Sequence, residues 1–584
     1  MRGTSLSFCV AARAGPRRAA PYRSPASQNL EAFAWMSECA QLARAFFDES
    51  LQDSPVLATQ LGVDGFEDRL DDLSEAAFED RRRRYAAWLT RFNQLDDAAC
   101  ESFDERIDRD LIRSSLRGRA IFDDWLMWRR QPEIYLNPGL GGIFTLFLHR
   151  LKPEAELARA ALSRLRAIPR ALEDGRKNIR AELAPPVYVD RAIRQARAGA
   201  RYVGEVLATE VSDAKLRAEL ADWGGIAAGA MEVYADFLQD LLPRAHGEYA
   251  IGAERYSRLL REKELLTYDA AALRDRGRTE YDRLAEQLRS FAQQLEGTDD
   301  WPQVLARLNL DHPTTPEAML QTYAEWTERA RQFLSERGLV TLPPGEECVV
   351  EPSPIFQRPV TAVASYNSPP PFSPSMRGHF FVPFPPDGAA EPEIQQRLEN
   401  NSYASIPTTS VHEAYPGHHW QLVTAKRNPS PIRHLLRTPY FTEGWGLYAE
   451  QLMREEGFFS DPRQEMSQVE ATIFRAARII VDTSLHIGDM TFDEAVDFMR
   501  TRANLPEPTA RAEVARYCAW PTQASAYLTG CLEILRIRQR CQSERSTSLR
   551  QFHDQLAASG GLPIALAEEV ALNQPRPAGG ATSP

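Results

Sequence analysis

The stretch "SVHEAYPGHHWQ", residues 410–421, places three of the chain's ten histidines, His412, His418 and His419, within eight residues and beside Glu413. Imidazoles with a neighbouring carboxylate are the parts of a hydrolytic zinc site. The spacing, however, departs from H-E-x-x-H, where the histidines sit four apart on one helix. Four residues after His412 stands Pro416. On an unbroken helix, at 100° and 1.5 Å per residue, His418 would lie about 120° around from His412, and His419 on the same face but roughly 10 Å along the axis. Neither could share an ion with His412, because zinc takes nitrogen ligands at about 2.0–2.1 Å. The helix therefore has to bulge or kink between Glu413 and His418. Pro416 has no N–H for the His412 carbonyl and its ring crowds that carbonyl, while Gly417 accepts the dihedrals of a detour. Absorbing two extra residues brings His418 to the place of the second histidine; His419 needs three and is the less economical choice.

A third ligand is expected on a following helix. In "TPYFTEGWGLYAEQLMREEG", Thr442 reads as an N-cap, Glu443 as the residue that opens the helix, and Gly444 and Gly446 as a bare side on which another helix packs. With His412, His418 and Glu443 as ligands of one zinc per chain, a fourth position stays open for water, which is a catalytic rather than a structural arrangement. Glu413 would take the water's proton and deliver it to a leaving amine, so the chemistry is amide-bond hydrolysis. Glu450, seven residues beyond Glu443, reads either as a support behind a ligand histidine or as a surface acid. His419 is expected in the same supporting role.

The elements that must hold these residues are mainly helical. From 30 to 340 the period is that of packed helices: Tyr281, Leu284, Leu288, Phe291 and Leu295 form one apolar stripe that ends at Gly297, and Thr315 with Pro316 opens another helix. Residues 341–400 are proline-rich, and two short runs, "VTAVASY" and "HFFVPF", predict a small sheet or hairpin. Helical periodicity returns over 401–572. Residues 1–29 read as a disordered basic extension, arginine-rich with no acid before Glu31, and 573–584 as a disordered tail.

At 584 residues the chain can enclose a deep cleft, and no run of about 18 apolar residues offers a membrane span. A net charge of -12 gives no reason to expect nucleic acid or an anionic membrane as partner, and fits a small neutral or cationic substrate. Seven scattered cysteines without a C-x-x-C pair favour reduced thiols and a cytoplasmic setting, although the arginine-rich start leaves an atypical export signal in play. No G-x-G-x-x-G, P-loop or G-x-S-x-G occurs. The oligomeric state is open, a homodimer included.

"HEAYPGHHWQ", "YFTEGWGLYAEQL", "ARIIVDTSLHIGDMTFDEAVDFM" and "EVARYCAWPTQASAYLTG", in that order, resemble the large bacterial domain-of-unknown-function family 885, regarded as zinc peptidases. The match covers most of residues 30–570. The resemblance implies a mainly helical fold with a deep active-site cleft, in the style of the thermostable carboxypeptidases and other gluzincins. It also implies that the H-E-x-x-P-G-H spacing is normal, with His412, His418 and Glu443 as ligands and Glu413 as base. In "RIIVDTSLH", Arg478, Asp482 and His486 share one helix face, so His486 is a candidate donor to the tetrahedral intermediate with Asp482 orienting it, or else part of a solvated polar face. Tyr517, Gln523 and Tyr527 are candidates for oxyanion stabilisation and substrate contact, and Arg516 for a substrate carboxylate. By the same resemblance, "VTAVASY" or "HFFVPF" could offer an edge to an extended peptide. The expected activity is a zinc-dependent peptidase on short peptides, an exopeptidase by preference. The alternatives are a zinc amidohydrolase of a non-peptide or modified-peptide amide, and a catalytically silent helical binding protein.

Overall fold

The computed structural model describes residues 36–573 apart from 355–357, 359–362 and 387. The expected extension 1–29 and the tail beyond Asn573 lie outside the described residues, and Asn573 itself ends a helix. The principal helices are α1 (Glu38–Asp53), α2 (Glu75–Gln94), α3 (Phe103–Asp124), α4 (Asn137–His149), α5 (Glu154–Asn178), α6 (Pro186–Arg201), α7 (Ala214–Leu241), α8 (Ala270–Glu296) and α9 (Pro316–Arg337). Three short strands follow, β1 (Glu347–Pro352), β2 (Ser365–Asn367) and β3 (Arg377–Val382). Then come α10 (Ile406–Glu413), α11 (His418–Ala425), α12 (Pro439–Glu455), α13 (Pro462–Ile487), α14 (Phe492–Arg502), α15 (Glu507–Ala519) and α16 (Ala526–Arg545). Among the described residues no helix is long and apolar enough to cross a membrane, and Cys39, Cys100, Cys348, Cys518, Cys531 and Cys541 are free thiols.

Several boundaries follow from local chemistry. Thr315 accepts a hydrogen bond from Ala318 N at 3.1 Å with Pro316 in the first turn, and Gly297 closes α8 in the left-handed region. Thr491 and Glu494 form the reciprocal capping box at the head of α14. One expectation fails: α12 begins at Pro439 with Thr438 as its cap, so Thr442 caps nothing and Glu443 lies a full turn inside the helix. The Thr438-Pro439 pair, a capping hydroxyl before a proline that suits the first helical position, outcompetes the threonine four residues on.

The sheet has the order β1-β3-β2, with β1 parallel and β2 antiparallel to β3. Only the last two residues of "VTAVASY" are in β2, and β1, drawn from "ECVVEP", was hidden among prolines. "HFFVPF" supplies the central strand. Paired on both sides, β3 has no free edge and cannot add a peptide strand, so that expectation is left to β1 and β2.

Apolar packing redraws the long helical region. Phe46, Phe92, Leu288, Trp326, Trp445, Ile479 and Ile537 belong to one continuous core that joins α1–α3 and α8–α9 to the C-terminal helices. Ile143, Leu165, Ala196, Met231 and Leu238, from α4–α7, form a second core of their own. Apart from Tyr188 of α6, the chain leaves the first core after α3 and returns to it from Ile251 onward, ahead of α8.

Within the main core α12 and α16 cross with their backbones in contact. A Cβ on Gly530 would fall 1.8 Å from the Tyr440 carbonyl oxygen, and one on Gly444 would fall 2.6 Å from Gly530. Gly444 thus plays the close-packing role its position suggested. Gly530→Ala is expected to destabilise the fold by about 1–3 kcal/mol or more, the scale of core overpacking. Denaturant unfolding against wild type measures it; an unchanged midpoint would show that the helices separate freely.

Candidate metal centre

The helix carrying His412 is interrupted where the proline stands. It stops at Glu413 and a new helix starts at His418. Gly417 N donates to Val411 O at 3.1 Å and Trp420 N to Ala414 O at 3.1 Å. Both bonds span six residues where a regular helix spans four, so two residues have been looped out. A Cβ on Gly417 would sit 1.9 Å from the His412 carbonyl oxygen, which leaves glycine as the residue that fits. The loop, with a cis Tyr415–Pro416 peptide, is held from both sides. Trp445 Nε1 donates to Pro416 O at 2.8 Å, and the Tyr415 hydroxyl donates to Glu346.

The detour brings His412 and His418 ring to ring, nearly perpendicular, with centroids 4.7 Å apart. Glu443 Oε2 lies 3.4 Å from His418 Nε2 and 3.8 Å from His412 Nε2. The ligating atoms of His412, His418 and Glu443 all fall within 4.8 Å of one another. Glu443, Gly446 and Glu450 recur at i, i+3 and i+7 on α12 and so share one face. A Cβ on Gly446 would come within 2.6 Å of His412 Cε1, so this glycine is the seat of the imidazole. Glu450, almost fully buried, receives His412 Nδ1–H at 2.7 Å and thereby aims Nε2 at Glu443. Of the two readings of Glu450, the structure takes the supporting partner.

The field at this point favours positive charge. Burial disfavours the His412 imidazolium, but Glu443 and Glu450 outweigh it and push the group up to about 10. Burial likewise raises Glu443, but His412 and His418 outweigh it and hold the carboxyl well below the usual range. Two imidazoles, an ionised carboxylate and a second carboxylate behind them are a donor set that suits a divalent cation such as zinc. Glu413 closes α10 next to His412 and adds to the same negative field.

The remaining candidates divide. Tyr527 is at the centre, its ring stacked on His412 at 6.5 Å, and Gln523 hydrogen-bonds to it. Gln523 also accepts from Arg516. Arg516 Nη2 donates to Glu513 at 2.9 Å, Arg478 Nη2 to the same carboxylate at 2.8 Å, and the fully buried Tyr517 hydroxyl to it at 2.6 Å. Tyr517 thus has its proton committed to Glu513 rather than available to an oxyanion.

His486 and Asp482 are buried, not solvated, and their contacts lead away from the histidine pair. His486 Nε2 donates to the Tyr517 carbonyl at 3.0 Å and sits 3.7 Å from Asp482, while Asp482 accepts from the Tyr256 hydroxyl at 2.7 Å and Ser525 N at 3.2 Å. The pair ties α13 to its neighbours, which corrects its reading as an intermediate-stabilising dyad. His419 is corrected too. Its Nε2 faces Glu346 Oε2 at 2.8 Å and its Nδ1 the Tyr366 hydroxyl on β2 at 2.8 Å, so it anchors the broken helix to the sheet.

Glu346 is the residue the sequence reading missed. Burial raises its carboxyl, but bonds from His419, Tyr415 and Arg331 outweigh that and hold it down at about 2. No spacing signal links it to residues some seventy positions later. Glu513 was visible in principle, three and four residues before Arg516 and Tyr517.

In protein stripped of divalent cations, His412 should hold its proton until about pH 10, followed by NMR of ring-labelled histidine. Glu450→Gln should lower that value, because it removes a carboxylate at 2.7 Å. An ordinary histidine titration in both proteins would contradict the charge arrangement.

Two solved structures share this fold. A candidate lipoprotein of unknown function from Shewanella oneidensis matches at TM-score 0.74 and 21% identity, covering 92% of this chain and 100% of its own. A candidate lipoprotein from Colwellia psychrerythraea matches at TM-score 0.73 and 19% identity, covering 92% and 99%. Among curated proteins nothing matches. The family model described as "Bacterial protein of unknown function (DUF885)" matches residues 55–570, nearly the whole of the described chain, and the protein belongs to that family.

Proposed function

We propose that the protein is a zinc-dependent metallopeptidase of short peptides, built in the gluzincin manner with a deep cleft leading to the histidine pair. The observation that supports this best is the convergence of His412, His418 and Glu443 to within 4.8 Å at a helix broken next to an acid, Glu413. When bound, zinc would polarise the scissile carbonyl and acidify a water molecule.

The chain's own groups do the rest. Glu413 takes a proton from the attacking water and passes it to the leaving nitrogen, so a C–O bond forms as the C–N bond breaks. Glu450 holds the His412 ring in place through Nδ1. Tyr527, stacked against His412, would contact the substrate carbonyl with its hydroxyl. The edges of β1 and β2 are left for an extended peptide.

The six free thiols among the described residues support a reducing, cytoplasmic compartment. The lipoprotein names of the two similar proteins favour the cell envelope instead, and fractionation of the native cells separates these readings.

About one zinc per chain is expected by elemental analysis. Its affinity should tighten as pH rises towards 10, because binding displaces the His412 proton. Glu450→Gln should weaken it about 10–100-fold. Glu413→Gln should retain zinc and lose cleavage in a peptide-library digest read by mass spectrometry. Wild-type cleavage that survives exhaustive chelation would sink the proposal.

A further inference from the structure

Behind Tyr527 lies a cluster of charge that hydrolysis alone does not require. Arg475 and Arg478 on α13 both approach the Tyr527 ring, with guanidinium carbons 5.9 and 4.7 Å from its centre. Arg516 on α15 completes a set of three guanidiniums. Glu513 is the carboxylate that Arg478 and Arg516 share. Burial raises Glu513, but these two arginines outweigh it and hold it ionised. The other acid near Arg475 is Glu470, whose carboxyl burial pushes up to about 7. Arg475 donates Nη1 to Ala471 O at 2.9 Å, and its Nε is buried without a hydrogen-bond partner. Three guanidiniums therefore face Glu513, with Glu470 beside Arg475.

Glu513, Tyr517 and Gln523 already partner Arg478 and Arg516, so the excess rests on the half-buried Arg475, and in a chain of net charge -12 it is not a reflection of overall composition. The cluster is reachable at Arg516, whose side chain keeps 17% of its surface open, with Arg478 behind it at 9%. Tyr527 touches both sides, its ring stacked on the His412 imidazole at 6.5 Å. The His412 ring and the Arg478 guanidinium lie 6.5 and 4.7 Å from the centre of Tyr527, which leaves room between them for a carboxylate about 4–7 Å, one or two residues, beyond a scissile amide.

We infer that Arg478 and Arg516 receive the free α-carboxylate of the substrate, so that the enzyme removes one or two residues from the C-terminal end of a peptide. This rests on the peptidase reading above and adds a direction to it. One water is consumed, and the product that keeps the carboxylate also carries the new amine, protonated through Glu413. Guanidinium donors suit the acceptor because their planar fork can offer two parallel N–H groups to one carboxylate. Arg475 adds charge behind the ring, and Gln523 positions Arg516.

The test uses the full-length Glu413→Gln protein, which does not turn over, titrated calorimetrically with acetyl-dialanine and with its C-terminal amide. The acid is expected to bind about tenfold or more tightly than the amide, the scale of a lost charged hydrogen bond. Adding Arg478→Gln or Arg516→Gln should abolish that preference, while Arg516→Lys, which keeps the charge, retains part of it. Should the Arg478 variant fail to fold, the acid-against-amide comparison on the unaltered cluster still decides.

Equal binding of acid and amide overturns the inference. So does wild-type enzyme that cleaves amidated and free peptides alike, an outcome that leaves the peptidase reading standing. A carboxylate preference in binding without hydrolysis by zinc-loaded wild type has the opposite meaning: it removes the peptidase and keeps the anion site.

Discussion

Everything at the centre of this molecule depends on one hydrogen bond that cannot form. Pro416 has no N–H to offer the His412 carbonyl, so the helix that begins at Ile406 ends a residue after His412. The chain closes the gap with bonds that reach back six residues instead of four, and the two residues looped out turn His418 onto His412. A continuous helix would keep those imidazoles on different faces, and Glu443 would have a single histidine to meet.

A break of this kind gives up helical hydrogen bonds and would fray unless its surroundings held it. They hold it from two directions. From α12, Trp445 binds the Pro416 carbonyl, stacks on Trp420 and shares its helix with the glycine on which His412 rests. From the sheet side, Glu346 and Tyr366 grip His419 and Tyr415. The glycine contact between α12 and α16 fixes the helix that presents Glu443 and Glu450 and also places Tyr527, three residues before Gly530. Backbone geometry, core packing and the position of the site are thus one constraint seen at three scales.

Electrostatically the region is a pair of opposed fields. Glu413, Glu443 and Glu450 surround the two imidazoles and stabilise a cation there. Across Tyr527, Arg475, Arg478 and Arg516 outnumber Glu513. In a buried environment neither imbalance is screened well by solvent, and the Tyr527 ring stands against both.

The residues from 410 to 450 show what the sequence determines by itself. The need for a break and the choice of His418 over His419 follow from 3.6 residues per turn and from the chemistry of proline, which act over short distances. Helix character and several caps, at Thr315, Gly297 and Thr491, were legible for the same reason. The first turn of α12 was not, because two threonines four residues apart, Thr438 and Thr442, offered the same local signal and Pro439 decided between them. Tertiary structure alone assigned Glu450 to His412, turned His419 to Glu346, committed Tyr517 to Glu513 and buried His486 with Asp482. It also split the first helical region into two cores and made "HFFVPF" a central strand. A side chain's partner across tens or hundreds of residues depends on which faces the core brings together, and helical or strand periodicity carries no record of that.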